Sequence, residues 1–391
     1  MQTKPGLHVC YFGTYDNYTP RNTILPFALH LNQVEVLPCH AELWGGTDNR
    51  IHLASGGWIS PRFIFRWIRA LFSLFWQYVH LNTHDVVLVG YPGILDVYLA
   101  WLLTRLSKKP LVYDALMSLH LITVERGIAD RHPISSRILF RCEKLACHLA
   151  DLILLDTPVY RDYFCRTYNL PAEKFVLLPL GADTRVFSPV DNAPERGTSE
   201  FRVMHYSTFI PGTGVDVIIQ AADVLRDEKD IVFELIGEGQ TRVQMEELVN
   251  QLDLKNVRFA GWVNKPDLPA FVAAADVCLG VFSQGRQASM TVVNKIYECL
   301  AMAKPLITGD SMAVRAALRH LEDVYLCERE NPAALAEAIL MFKHDPQLGK
   351  RLAQQGHVRF MQEFTPLSIG AKLKMALANQ LAGVGEEVAD V

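Results

Sequence analysis

The chain has 391 residues, 50% of them hydrophobic and 20% charged, with a formal net charge of -4. That length exceeds what one hydrophobic core usually supports, so it favours two α/β domains, and the even composition excludes disordered or fibrous classes. The slightly acidic balance supplies no general pull toward phosphate backbones, so a nucleic-acid partner is not expected.

In chain order, residues 1–11 carry one lysine ahead of a strand-like run and lack the apolar core and cleavage site of a signal peptide, which points to a cytoplasmic protein. Residues 7–12 form a predicted strand ending at Gly13. A helix over 21–31 and a strand over 34–37 follow, the opening of a doubly wound sheet. The segment 62–79 mixes Arg62, Arg66 and Arg69 with many aromatics. It is short and charged for a spanning helix, and fits an interfacial helix against anionic lipid, a buried helix lining an acceptor cleft, or plain core packing. Strands over 86–89, 110–113 and 152–155 end at Gly90, Asp114 and Asp156, and a helix is predicted over 91–106.

The composition turns polar between Phe187 and Phe201, with two prolines, and this is the predicted linker. A second βα series then runs through strands at 202–206, 231–236, 257–259, 277–279 and 305–307. Helices are predicted between them, and a final amphipathic helix over 366–381 is placed to cross back onto the first domain, with a disordered tail after it. The expected domains are 1–190, 198–365 and the tail segment 366–391. Eight cysteines show no metal-ligand spacing and read as reduced, packed thiols; no metal site is expected.

The segment Val293-Asn294-Lys295-Ile296-Tyr297-Glu298-Cys299-Leu300-Ala301-Met302-Ala303-Lys304-Pro305-Leu306-Ile307 resembles the signature helix and following strand of glycosyltransferase family 4. Gly181-Ala182-Asp183, Gly237-Glu238-Gly239 and Gly261-Trp262-Val263 agree with it in order and spacing. The resemblance implies a GT-B fold, two facing Rossmann-like domains with a cleft between them. It implies a retaining, metal-independent glycosyltransferase that moves a hexose from a nucleotide sugar, UDP- or GDP-linked, to a glycan, lipid-linked or small-molecule acceptor. The nucleotide sugar is then a co-substrate and no cofactor is expected. Polysaccharide assembly at the inner face of the cell membrane would be the setting by analogy.

The physics of that helix agrees with the resemblance. A carboxylate in its second turn can accept hydrogen bonds from two ribose hydroxyls, a role for Glu298, while amides near its start, around Thr291 and Val292, can meet a diphosphate. Lys295 and Arg286 are the basic residues placed to offset charge on the leaving diphosphate. The glycines Gly212, Gly214, Gly237 and Gly239 let backbone approach a phosphate. Trp262 and Val263 resemble the segment that reads the base, with core packing an equal reading for Trp262. The family pattern has a glutamate where this chain has Met290, and an arginine and a lysine in the loop where it has Thr208 and Thr213. In the first domain, Gly13 faces the donor or acceptor, and Asp114 and His120 are placed to orient an acceptor hydroxyl. A nucleotide-sugar epimerase of the same fold and a non-catalytic sugar-nucleotide binder are the alternatives.

Overall fold

The computed structural model describes residues 6–43, 61–190 and 200–389. Most of the predicted linker, at 191–199, lies outside the described residues. The chain divides into two compact units, Met1–Leu180 with Pro366–Val391, and Gly181–Thr365.

The first unit is built on a parallel sheet of β1 (His8–Gly13), β2 (Glu35–His40), β3 (Val86–Val89), β4 (Leu111–Leu116), β5 (Leu152–Leu155) and β6 (Phe175–Leu177), in the order β2-β1-β3-β4-β5-β6. Strands β3, β4 and β5 are buried along their whole length, as expected where helices cover both faces of a parallel sheet. The helix after β3 starts at Asp96, not at residue 91, because Pro92 disfavours a helical conformation at Tyr91.

Helix Pro61–Val79 turns Ala70, Leu74 and Tyr78 inward at a spacing of four and leaves Phe65, Phe72, Phe75 and Trp76 exposed. Of the three readings left open for this segment, plain core packing holds for one narrow stripe only. The side chain of Arg62 lies outside the described residues. Among the described residues no helix is long and apolar enough to cross a membrane.

The second sheet holds β7 (Phe201–Tyr206), β8 (Ile231–Ile236), β9 (Val257–Gly261), β10 (Val277–Leu279), β11 (Leu306–Gly309) and β12 (Tyr325–Cys327), in the order β12-β11-β10-β7-β8-β9. Every pairing in both sheets is parallel. Counted from β7 this is the doubly wound order 3-2-1-4-5-6. Its direction reverses between β7 and β10, and that of the first sheet between β1 and β3. At such switch points the loops leaving the strands diverge and open a crevice.

The last helix, Pro366–Ala389, belongs to the first unit, where Ile369, Leu373 and Leu377 enter the same core as Leu25 and Leu29. It runs well past residue 381, where a disordered tail was expected, since no proline interrupts helix propagation there. All eight cysteines are free thiols.

Candidate active site

In the second unit, the switch point is where the predicted residues gather. Strand β7 delivers His205 and Tyr206, and the helix Asn294–Ala301 delivers Lys295 and Glu298. Glu298 is buried, not facing bulk water. Tyr206 Oη donates to its Oε2 at 2.7 Å, and Lys265 Nζ lies 3.3 Å from its Oε1. A carboxylate has about four lone-pair sites, so these two partners leave room for a pair of hydroxyls.

Lys295 is buried too, with Nζ 3.3 Å from His205 Nε2. His205 Nδ1 lies 3.2 Å from the carbonyl oxygen of Leu279, which can only accept, so Nδ1 carries the proton and Nε2 is the acceptor. Ser207 Oγ, 3.0 Å from Nε2, completes the set. Burial holds His205 well below the usual imidazole range and pulls Lys295 down to about 7. A positive charge at Lys295 is thus poorly solvated until an anion arrives.

The loop after β7 is tied to the next two strand ends. Phe209 N–H donates to Glu238 O at 3.0 Å, and Gly237 N–H to Gly261 O at 2.7 Å. Gly237 has φ +134°, and a Cβ there would sit 1.8 Å from Ser207 O; at Gly239, φ +152°, it would sit 2.5 Å from Phe209 O. These two glycines are required for the loops to touch. Arg242 stacks on Phe259 at 4.2 Å and donates to Gly237 O at 3.0 Å, bracing the turn. Gly214, φ +76°, precedes helix Val215–Val224, and Thr213 Oγ1 donates to Ile210 O at 3.0 Å. Gly212 faces open space, and Thr208 is half-buried.

Thr291 and Val292 are buried ahead of the signature helix, and Thr291 Oγ1 has no hydrogen-bond partner among the described residues. Arg286 is exposed at the start of the short helix Arg286–Met290. Trp262 is 59% exposed, which removes the core-packing reading, and Val263 beside it is half-buried. Lys265, Tyr206, His205 and Arg242 were missed by sequence reasoning. They come from β7, from the helix Arg242–Gln251 and from the loop after β9, with no local motif; only the strand-end positions of His205 and Tyr206 signalled them. Arg329, just past β12, was missed as well: its Nη1 donates to Ser289 Oγ, while Nε and Nη2 are buried with no partner among the described residues.

In the first unit Gly13 has φ +130° at the end of β1, and a Cβ there would lie 2.8 Å from Asp96 Oδ2. Asp114 requires a correction. It is fully buried and held by Arg21, whose Nε donates at 2.9 Å and Nη2 at 3.1 Å, while Nη1 donates to Leu178 O at 2.9 Å. Its carboxylate is engaged in packing the end of the sheet and does not meet the predicted acceptor role. His120 packs edge-on against Phe140 at 5.0 Å; its Nδ1 is buried without a partner, and burial lowers its pKa. Among the described residues no hydrogen bond joins it to Asp114. Asp156, at the end of β5, has both oxygens buried, and burial pushes it up to about 8. No group of three or more His, Cys, Asp or Glu that could hold a metal occurs among the described residues.

Residues 200–345 match the family model of glycosyl transferases group 1. The α-D-kanosaminyltransferase of Streptomyces kanamyceticus is 24% identical over 74% of this chain and 73% of its own length. Among solved structures, the sucrose-phosphate synthase of Thermosynechococcus elongatus superposes with a TM-score of 0.72 at 15% identity, over 96% of this chain and 100% of that one. HepE of Anabaena, solved with UDP, gives 0.70 at 15% identity over the same shares. These likenesses show the fold, which is GT-B.

Proposed function

On the premise that the chain is a glycosyltransferase of the group 1 type, we propose that it moves a hexose from a UDP- or GDP-linked donor to an acceptor hydroxyl with retention of configuration. The carrying observation is the helix Asn294–Ala301, which places a buried Glu298 and a buried Lys295 one turn apart at a switch point. Glu298 accepts from the ribose hydroxyls, and the helix start and Lys295 meet the diphosphate. The UDP complex of a structural neighbour favours a uridine donor.

In the reaction the acceptor oxygen bonds to the anomeric carbon as its bond to the phosphate oxygen breaks. The nucleoside diphosphate leaves with the bonding electrons, and one of its oxygens takes the acceptor proton on the same face. Charge then grows on the diphosphate, where Lys295 stabilises it. Such a site has its cation built in, so metal independence is part of the proposal. The acceptor is a glycan, a lipid-linked sugar or a small molecule. Peripheral contact with an anionic membrane through 62–79 is also inferred, supported by the exposed Phe65, Phe72, Phe75 and Trp76 beside Arg66 and Arg69.

The test is incubation with UDP- and GDP-hexoses and a panel of acceptors, with and without a chelator. Release of nucleoside diphosphate coupled to a product of retained anomeric configuration, unaffected by the chelator, is expected. An inverted product, or an altered free sugar formed without any acceptor, would overturn the reading; the latter is the outcome for an epimerase.

A further inference from the structure

The first unit contains a cavity of about 200 Å³ at its own switch point, between the loops that leave β1 and β3. Its wall is apolar, with Trp67, Ile94, Leu95, Leu119, Ile128 and Leu139 among the lining residues, and no lysine or arginine contributes to it. Thr14, Thr123, His132, Ser135, Ser136 and Asp96 interrupt that wall, and at two places in the lining a buried polar atom has no partner among the described residues. Asp96 is 1% exposed; its Oδ2 accepts from Thr14 N at 2.7 Å and from Thr14 Oγ1 at 2.9 Å, whereas Oδ1 is buried with no partner among the described residues. Trp67 Nε1 is likewise buried without one.

An unpaired carboxylate oxygen and an unpaired N–H, each buried, are costly unless something completes them. A diphosphate does not: the carboxylate repels it and no lysine or arginine lines the cavity to offset its charge. Water alone does not match a wall this apolar, since buried waters sit among several polar partners. A hydroxyl has the chemistry for either group, since its proton can go to Asp96 Oδ1 and its oxygen can accept from Trp67 Nε1. The space sets the size of what carries the hydroxyl. An apolar cavity of about 150 Å³ takes a benzene ring, so this one takes about eight non-hydrogen atoms.

We propose that this cavity is the acceptor subsite and that it holds an alcohol with an apolar body, an aryl or branched alkyl group, whose hydroxyl donates to Asp96 Oδ1. This rests on the transferase reading for its biological sense. The binding itself does not depend on turnover, so the two can fail separately. Gly13 belongs to the same construction: a side chain there would press on Asp96 Oδ2 and shift the carboxylate.

The experiment titrates the full chain with benzyl alcohol, toluene and glycerol, followed by ligand-detected NMR, with UDP and GDP binding measured in the same samples. Benzyl alcohol is expected to bind at least about tenfold tighter than toluene, as a hydrogen bond to a charged acceptor provides, and glycerol not to compete. Leu139→Trp, which fills the cavity, should abolish benzyl alcohol binding. Asp96→Asn should bring benzyl alcohol and toluene close to parity; circular dichroism checks the fold of both variants. Equal affinity of the wild type for toluene and benzyl alcohol overturns the proposal, as does undiminished binding to a folded L139W variant or no binding of either probe. Nucleotide binding without cavity binding would leave the transferase reading standing, and the reverse would leave the cavity without its reaction.

Discussion

Lys295 is the buried cation of the proposed donor site. Burial lowers its pKa from the usual ammonium range to about 7, with Cys299 and Glu298 opposing the shift. An arriving diphosphate favours the charged form and raises the pKa again. At pH 8 nucleoside diphosphate binding should therefore take up a substantial fraction of a proton, measured by calorimetry in buffers of different ionisation enthalpy. K295M should abolish that uptake; an unchanged uptake would place the titrating group elsewhere. The stability sign follows from the same shift. Between pH 7 and the ordinary lysine pKa the unfolded chain binds more protons than the folded one, so stability rises with pH across that window and the rise flattens in K295M. Glu298→Ala removes a charged acceptor worth about 1.5 to 3 kcal/mol, so nucleotide affinity should fall about ten- to a hundredfold. Unaltered affinity in a folded variant would exclude Glu298 from the ribose. Both residues were legible because they lie in one short segment that resembles the signature helix of glycosyltransferase family 4. Lys265 and Tyr206 were not, because they reach Glu298 from elements far away in sequence.

At the scale of elements, periodicity identified strands and helices that end in glycine or aspartate, and failed where the local signal was split. Helix Pro61–Val79 shows this. Its arginines and aromatics alternate too closely for the sequence to choose between core and interface, and the structure shows which stripe packs, Ala70, Leu74 and Tyr78. The helix that carries the cavity-lining Trp67 also exposes Phe65, Phe72 and Trp76. An exposed aromatic band with flanking arginines binds an anionic surface by burial of rings and by about 1 kcal/mol per basic residue near the headgroups. Co-sedimentation with phosphatidylserine vesicles at low salt is expected, and R66E/R69E should weaken it at least tenfold. Sedimentation that is the same with neutral vesicles would refute the electrostatic part, and none at all would refute the contact.

For the whole molecule, the chain leaves the first unit after Leu180 and returns to it at Pro366. The return was anticipated from the amphipathic pattern of the last helix. Its fit was not, because it depends on a single close approach: a Cβ on Gly370 would lie 2.1 Å from Ala28 O. Asn32 Nδ2 donates to Leu367 O at 3.0 Å and Lys374 Nζ to Asn32 O at 2.7 Å, fixing the register of the two helices. Ile369, Leu373 and Leu377 are each fully buried in the contact. Burying such side chains contributes about 1.5 to 3 kcal/mol apiece, so the three together approach the total stability of an ordinary domain, about 5 to 15 kcal/mol. Truncation after Thr365 should then unfold or loosen the first unit selectively. Amide hydrogen exchange would show β1 and β3 losing protection while β7 and β8 keep theirs, and nucleotide binding by the second unit would persist. Gly370→Val should produce a milder form of the same pattern, since crowding costs about 1 to 3 kcal/mol and leaves the apolar contacts in reach. Protection of β1 unaffected by both changes would mean that the first unit's core is complete without the returning helix, contrary to the packing of Leu25 and Leu29 against it.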